Sequence, residues 1–206
     1  MNSKKYILMA TRNKGKAEEL AALLQDLPVQ ILTLQDFPDL AEVEETGLTF
    51  AENAALKADF AAKETGLITL SDDSGLEVDA LNGEPGVFSA RFAGEPSDDQ
   101  QNNLKLLEVL KGLPLEQRTA RFVSVISLVN PISSEKREIS YSRGICEGLI
   151  LEELRGDGGF GYDPLFFVPS LQKTFAQLTL EEKNLVSHRG QALRQVVPIL
   201  VPLISG

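Results

Sequence analysis

The chain has 206 residues, 43% hydrophobic and 24% charged, ordinary for a soluble globular protein and suited to a single domain spanning 1–206. Acidic side chains outnumber basic ones by 30 to 20, a formal charge of −10, which excludes wrapping nucleic acid because that needs a basic stripe to displace counterions. A single cysteine, Cys146, excludes an internal disulfide and fits a reducing compartment.

The first apolar run, Tyr6–Ala10, is too short for a signal peptide and reads as a strand. Thr11-Arg12-Asn13-Lys14-Gly15-Lys16 then leads into a helix with Leu20, Leu23, Leu24 and Leu27 at i, i+3, i+4, i+7 spacing. Asn13 is the expected N-cap, with Glu18 and Glu19 in the first turn. A strand–loop–helix start offers unpaired backbone N–H groups to a phosphate, and Lys16 and Asn13 add donors. A capped helix with a solvated lysine face is the competing reading. The loop is not a Walker A motif, since Ala17 follows Gly15-Lys16 and position 10 is Ala10.

Val29–Leu34 reads as a second strand. Asp36 to Glu52 carries six acids and no Lys or Arg, either a solvated loop or the source of a metal ligand. Thr49 and Glu52 have capping-box spacing and open a helix to about Thr65, with Gly66 as its stop. Its alanines (Ala54, Ala58, Ala61, Ala62) allow close packing on a sheet. Asn53 and Lys57, four apart, share one face: ligands for anionic oxygen if that face meets a site, surface residues otherwise.

Gly66–Leu70 is an apolar strand running into Ser71-Asp72-Asp73-Ser74-Gly75. The strand is expected to stop there and turn sharply at Ser74-Gly75, leaving two carboxylates at the edge where open α/β sheets bind ligands. Side chains alternate between faces, so one acid can meet a metal ion or water while the other faces a neighbouring layer. Taken alone, the segment reads equally as a hydrated turn.

Leu76–Val78 alternates as a short strand, Asn82–Val87 is rich in turn formers, and Arg91 is a further available cation. Ser97 and Gln100 have capping spacing ahead of a helix with Leu104, Leu107 and Leu110 inward, ending at Gly112. Thr119–Val129, Glu138–Arg143, Cys146–Leu151 and Leu165–Val168 read as strands of a mixed sheet. Cys146 suits the core, with nothing nearby in sequence to activate its thiol.

Gly156-Asp157-Gly158-Gly159-Phe160-Gly161 matches G-x-G-x-x-G, but Tyr162-Asp163-Pro164 follows, where a dinucleotide fold needs a helix. The loop reads as a close approach to a flat ligand with Phe160 as stacking face, or as a glycine turn with Phe160 in the core. Thr179–Glu182 caps a helix bearing Lys183. Ser187-His188-Arg189-Gly190 starts the last helix, with Leu193, Val196, Val197 and Leu200 inward and Pro198 expected to kink it. Val196–Ile204 is too short to span a membrane. One histidine and one Asp73-Ser74-Gly75 triplet argue against both nucleophilic triads and an aspartic-protease pair.

Six blocks in order then carry a resemblance: Thr11 to Lys16, Glu44-Glu45-Thr46-Gly47-Leu48-Thr49-Phe50 with Glu52-Asn53-Ala54 and Lys57-Ala58, Asp72 to Leu76, Pro85 to Arg91, Gly158 to Pro164, and Ser187 to Ala192. The sequence resembles the inosine triphosphatase-like (Ham1/RdgB-type) nucleoside triphosphate pyrophosphatases over nearly its whole length. The resemblance implies an α/β fold, an elongated mixed β-sheet flanked by helices, with two lobes around a central nucleotide-binding cleft. It implies a Mg2+-dependent homodimer that hydrolyses ITP, dITP and XTP to the monophosphate and pyrophosphate; the single cysteine and the short N-terminal apolar run make the cytoplasm the expected compartment. Carried over by motif, Thr11, Arg12, Asn13, Lys14, Gly15 and Lys16 contact the triphosphate. Glu44 and Asp73 serve the metal, Asp73 is also the base, and Ser74 touches substrate. Phe160, Gly161, Tyr162 and Asp163, with Lys183, His188 and Arg189, surround base and sugar; Asn53, Lys57 and Asp72 are additional candidates. Arg12 departs from the family at a position where Gly is common. A Maf-like pyrophosphatase of different nucleotide preference and a non-catalytic nucleotide sensor are the alternatives.

Overall fold

The computed structural model describes residues 5–133 and 136–205; residues 1–4, which enter the signal-peptide reading, lie outside them. Strands β1 (Lys5–Met9), β2 (Val29–Thr33), β3 (Ile68–Val78), β4 (Thr119–Pro131), β5 (Arg137–Ile150), β6 (Phe166–Val168) and β7 (Lys173–Thr174) form one sheet in the order β2-β1-β3-β4-β5-β6-β7. It is mixed: β1 is parallel to β2 and β3, whereas β6 is antiparallel to β5 and β7. The α-helices among the described residues are α1 (Lys14–Leu24), α2 (Phe50–Thr65), α3 (Asp99–Val109), α4 (Leu180–Val186) and α5 (His188–Ser205). The chain divides into two compact units, one of Met1–Asp73, Ser124–Gly144 and Arg189–Gly206, the other of Ser74–Val123 and Ile145–His188.

In the first unit both faces of β1 are covered, as parallel strands require. Ile7 and Met9 pack with Leu70, Ile126, Leu20 and Leu24 of α1, and Leu193 and Val196 of α5. Leu8 and Ala10, pointing the other way, meet Ala61 of α2, while Ala58 and Ala62 lie against Val129. The small residues of α2 bring its backbone close to the sheet, and its ends are fixed by the Thr49–Glu52 capping box and by Gly66 at φ 69°. A cap of this kind contributes about 1 kcal/mol.

The second unit closes on an aromatic core. Phe166 lies 4.7 Å from Phe122 and 4.8 Å from Phe175, centroid to centroid, with Leu76, Leu106, Tyr162 and Leu165 around them. Cys146 is buried there, its thiol pushed up to about 11 by burial and by Glu147, which fits a core residue and not a nucleophile.

Several sequence expectations change. The strand carrying the two aspartates does not stop at them: β3 runs unbroken from Ile68 to Val78, with Ser74 and Gly75 inside it. Buried cations partner both carboxylates, so the strand carries them through the interior instead of ending in water. α3 is capped by Asp98, whose carboxylate accepts from the Gln101 N–H, and not by Ser97. Leu110 is buried as expected and Leu106 with it, whereas Leu104, expected inward, is 49% exposed. Glu138–Arg143 and Cys146–Ile150 belong to the single strand β5. The first turn of α1 holds no acid; Glu18 and Glu19 lie further along it.

Candidate active site

Asp72 and Asp73 are adjacent on β3, and the alternation of the strand sends their carboxylates to different partners. Asp72 Oδ2 lies 2.9 Å from Lys16 Nζ of α1 and 3.2 Å from Arg189 Nη2 of α5. Its Oδ1 accepts from the Ser124 hydroxyl of β4 at 2.5 Å. Arg189 also pairs with Glu19 of α1, so the network reads Glu19, Arg189, Asp72, Lys16. Burial alone would push the Asp72 carboxyl up, yet Arg189 and Lys16, with the Ser124 and Lys16 hydrogen bonds, hold it well below the usual carboxylate range. Both of its oxygens are committed.

Asp73 is partnered differently. Its Oδ1 accepts from Lys57 Nζ of α2 at 3.1 Å, and Lys57 Nζ also lies 2.6 Å from Glu45 Oε1. Among the described residues no hydrogen bond is made to Asp73 Oδ2. Burial raises the Asp73 carboxyl above its ordinary value; Lys57 and Lys16 oppose the shift, and Glu45 adds to it. Lys57 is raised in turn because Asp73 and Glu45 outweigh the desolvation of its ammonium. The Asp72 carbonyl accepts from Lys57 Nζ at 3.2 Å and from Lys16 Nζ at 3.5 Å, so both ammonium groups gather at one backbone oxygen.

The loop before α1 folds as its sequence suggests. Asn13 caps the helix, its Oδ1 accepting from the Lys16 N–H at 3.0 Å, and Thr11 Oγ1 accepts from the Asn13 N–H at 3.1 Å. Arg12 is turned aside to the Leu40 carbonyl at 2.9 Å. Lys14 is exposed and Gly15 half-buried at the helix start. Glu44 is exposed, and the acid brought to Lys57 is its neighbour Glu45. Asn53 is buried and accepts the Gly47 N–H at 2.8 Å, pinning the acidic segment to α2. A Cβ at Gly47 would stand 2.6 Å from that same Asn53 oxygen.

In the second unit a different constellation forms. Asp163 Oδ2 takes Lys183 Nζ at 2.5 Å and the Phe160 N–H at 2.9 Å. The ammonium lies 4.9 Å from the Phe160 ring centre and 5.4 Å from that of Phe175. The Phe160 ring is half-buried. The glycines before it serve the chain itself: a Cβ on Gly159 would fall 2.0 Å from Asp163 Oδ2, and one on Gly156 or Gly158 would strike the Ala176 carbonyl. α3 holds the loop, with Asp99 accepting the Gly161 N–H at 2.7 Å and Asn103 donating to the Gly161 carbonyl at 2.8 Å.

Tyr162 is a core residue, its hydroxyl donating to the Ser89 carbonyl at 2.8 Å and its phenol pushed up by burial. His188 is buried and stacks on Phe122 at 4.7 Å and 11°. Ser74 is half-buried on β3. Arg189, expected beside the base, is 1% exposed and bound to Glu19 and Asp72 in the first unit.

Sequence reasoning did not single out Glu19, Glu45 or Ser124. Glu44 and Glu45 are chemically identical neighbours, and nothing local says which turns inward. Glu19, on the buried stripe of α1, pairs with a residue 170 positions away.

The chain matches the sequence pattern of the Ham1 family over residues 7–199. It is 55% identical over 194 residues to a protein of Desulforamulus reducens called a dITP/XTP pyrophosphatase, covering 94% of each chain. Among solved structures it resembles a HAM1 protein from Coxiella burnetii, at 44% identity and TM-score 0.85, covering 96% of this chain and 99% of that one. The Ham1 protein of Staphylococcus aureus is similar at 42% identity and TM-score 0.82, with 95% and 98% covered. With the family pattern matched over nearly the whole length and relatives this similar, the chain belongs to the Ham1 family.

Proposed function

We propose that the protein hydrolyses ITP, dITP and XTP to the nucleoside monophosphate and pyrophosphate, as one domain spanning 1–206. The observation that carries the reading is the division of labour between two neighbouring acids: Asp72 is locked by Lys16, Arg189 and Ser124, while among the described residues Asp73 keeps one oxygen uncommitted. The name carried by the relative from D. reducens supports the substrate class.

The first unit serves the triphosphate in this reading. N–H groups at the start of α1, Lys16 and Lys57 supply donors for phosphate oxygen. Asp73 accepts a proton from the attacking water; the water oxygen ends on the α-phosphorus, and pyrophosphate leaves with the electron pair of the broken anhydride bond. Asp73 and the Glu44–Glu45 pair offer carboxylate oxygens, the donors Mg2+ prefers, and among the described residues no three acid, His or Cys side chains gather. A metal held by one or two carboxylates, with phosphate and water completing its shell, fits that set. When bound, Mg2+ would neutralise developing phosphate charge and acidify water.

The loop at Phe160 serves the base in this reading. Phe160 offers a stacking face, worth about 1–3 kcal/mol per base in other proteins, beside the Lys183 ammonium. A donor there matches the 6-keto oxygen of hypoxanthine and xanthine and mismatches the 6-amino group of adenine. The homodimer is carried by the sequence resemblance alone, and the lone thiol fits the reducing conditions of a cytoplasmic setting.

A substrate panel tests the reading. Pyrophosphate release with Mg2+ should be far faster from ITP and XTP than from ATP, GTP, UTP or dTTP. Equal turnover of all six would overturn the purine preference, and binding of ITP without release would make the protein a sensor.

A further inference from the structure

The place between two carboxylates that the proposed function gives to a metal ion is filled, in the free protein, by the chain's own cation. Lys57 Nζ lies 2.6 Å from Glu45 Oε1, 3.1 Å from Asp73 Oδ1 and 3.2 Å from the Asp72 carbonyl. Three oxygens around one ammonium satisfy all three of its N–H donors. The side chains are well covered, 16% exposed for Lys57 and 8% for Asp73, so the contacts are not those of a loose surface pair. α2 fixes where Lys57 starts, because the buried Ala54, Ala58 and Ala61 seat its helix. The four-carbon stem remains flexible, so the ammonium can leave without the helix moving.

We infer that the protein takes up its divalent cation together with the nucleotide, as a metal–triphosphate complex, and that Lys57 closes the acid pair to the bare ion. The inference rests on the function proposed above. A bare dication binding between Asp73 and Glu45 would have to displace Lys57 from the three oxygens it holds. It would also sit close to Lys16, which shares the Asp72 carbonyl with Lys57. A metal–triphosphate complex brings both halves of an exchange: the cation takes the Asp73 and Glu45 oxygens, and phosphate oxygen takes the ammonium. A ligand shifts such an equilibrium only by its differential affinity for the two states, and the triphosphate supplies that difference.

Calorimetric titration of Mn2+ into the nucleotide-free protein tests the inference without any turnover. The wild type should show no saturable binding of bare Mn2+ below millimolar concentration, yet bind a preformed complex of Mn2+ with α,β-methylene-ITP. Lys57→Met and Lys57→Gln should each bind bare Mn2+ at least tenfold more tightly than the wild type. Equal affinity for bare Mn2+ in wild type and variants would overturn the inference, as would tight binding of bare Mn2+ by the wild type, a result that needs no variant to fold. Failure of the preformed complex to bind the wild type would instead strike the proposed function.

Discussion

The two acids of β3 share a backbone and differ in almost everything else. On one side Asp72 meets Lys16, Arg189 and Ser124, both of its oxygens are engaged, and no part of its side chain is exposed. On the other Asp73 is hydrogen-bonded to Lys57, shares it with Glu45, and has no hydrogen bond to its Oδ2 among the described residues. Their protonation shifts run in opposite directions: strong neighbouring cations depress Asp72, whereas burial wins over Lys57 at Asp73. A fully neutralised buried charge is scaffold, because any change to it leaves a partner stranded. A half-neutralised one is available for chemistry.

The largest expected effect follows from the open side. Asp73→Asn should lower turnover by about 10²–10⁴-fold, the usual worth of a general base, while circular dichroism and nucleotide binding persist. Retained turnover would show that the two faces have been assigned the wrong way round. The closed side predicts a different failure. Asp72→Asn takes the carboxylate away from Lys16 and from one side of Arg189 and should cost about 3–5 kcal/mol in denaturant unfolding, the range for breaking a buried ion pair. A stability close to wild type would mean that Asp72 is not the scaffold.

Smaller effects sharpen the picture. Lys183→Met removes the cation beside Phe160 and should reduce the ITP-to-ATP ratio of kcat/KM by about tenfold, the lower end for a lost charged hydrogen bond. An unchanged ratio would move base reading elsewhere. The last effect is a pH dependence. The folded state holds Asp72 below its ordinary 3.8, so it binds fewer protons there than the unfolded chain. The stabilisation is therefore present above pH 3.8 and lost as pH falls through the folded value. In urea unfolding the gap between wild type and Asp72→Asn should hold near neutrality and narrow below about pH 3.8.

Local patterns were the legible part of this chain. The Thr49–Glu52 and Thr179–Glu182 boxes, the Asn13 cap and the Gly66 stop are set by groups three or four residues apart, and the structure keeps them. The opposite facing of Asp72 and Asp73 follows from strand alternation alone. What could not be read depends on distant partners. The expected break at Ser74-Gly75 presumed that two adjacent acids must reach water, and Lys16, Lys57 and Arg189, from three different helices, remove that need. Arg189 follows His188 directly in the sequence, yet His188 stacks on Phe122 in one unit while Arg189 pairs with Asp72 in the other. The choice between Glu44 and Glu45 is set by the reach of Lys57 and not by any local propensity.

The most direct test is a crystal of the protein grown with α,β-methylene-ITP and Mn2+, read by the anomalous signal of the metal. The account predicts an Mn2+ peak about 2 Å from a carboxylate oxygen of Asp73, phosphate oxygen beside Lys16, and no metal on Asp72. A peak on Asp72, or phosphates lying away from both Asp73 and Lys16, would contradict it.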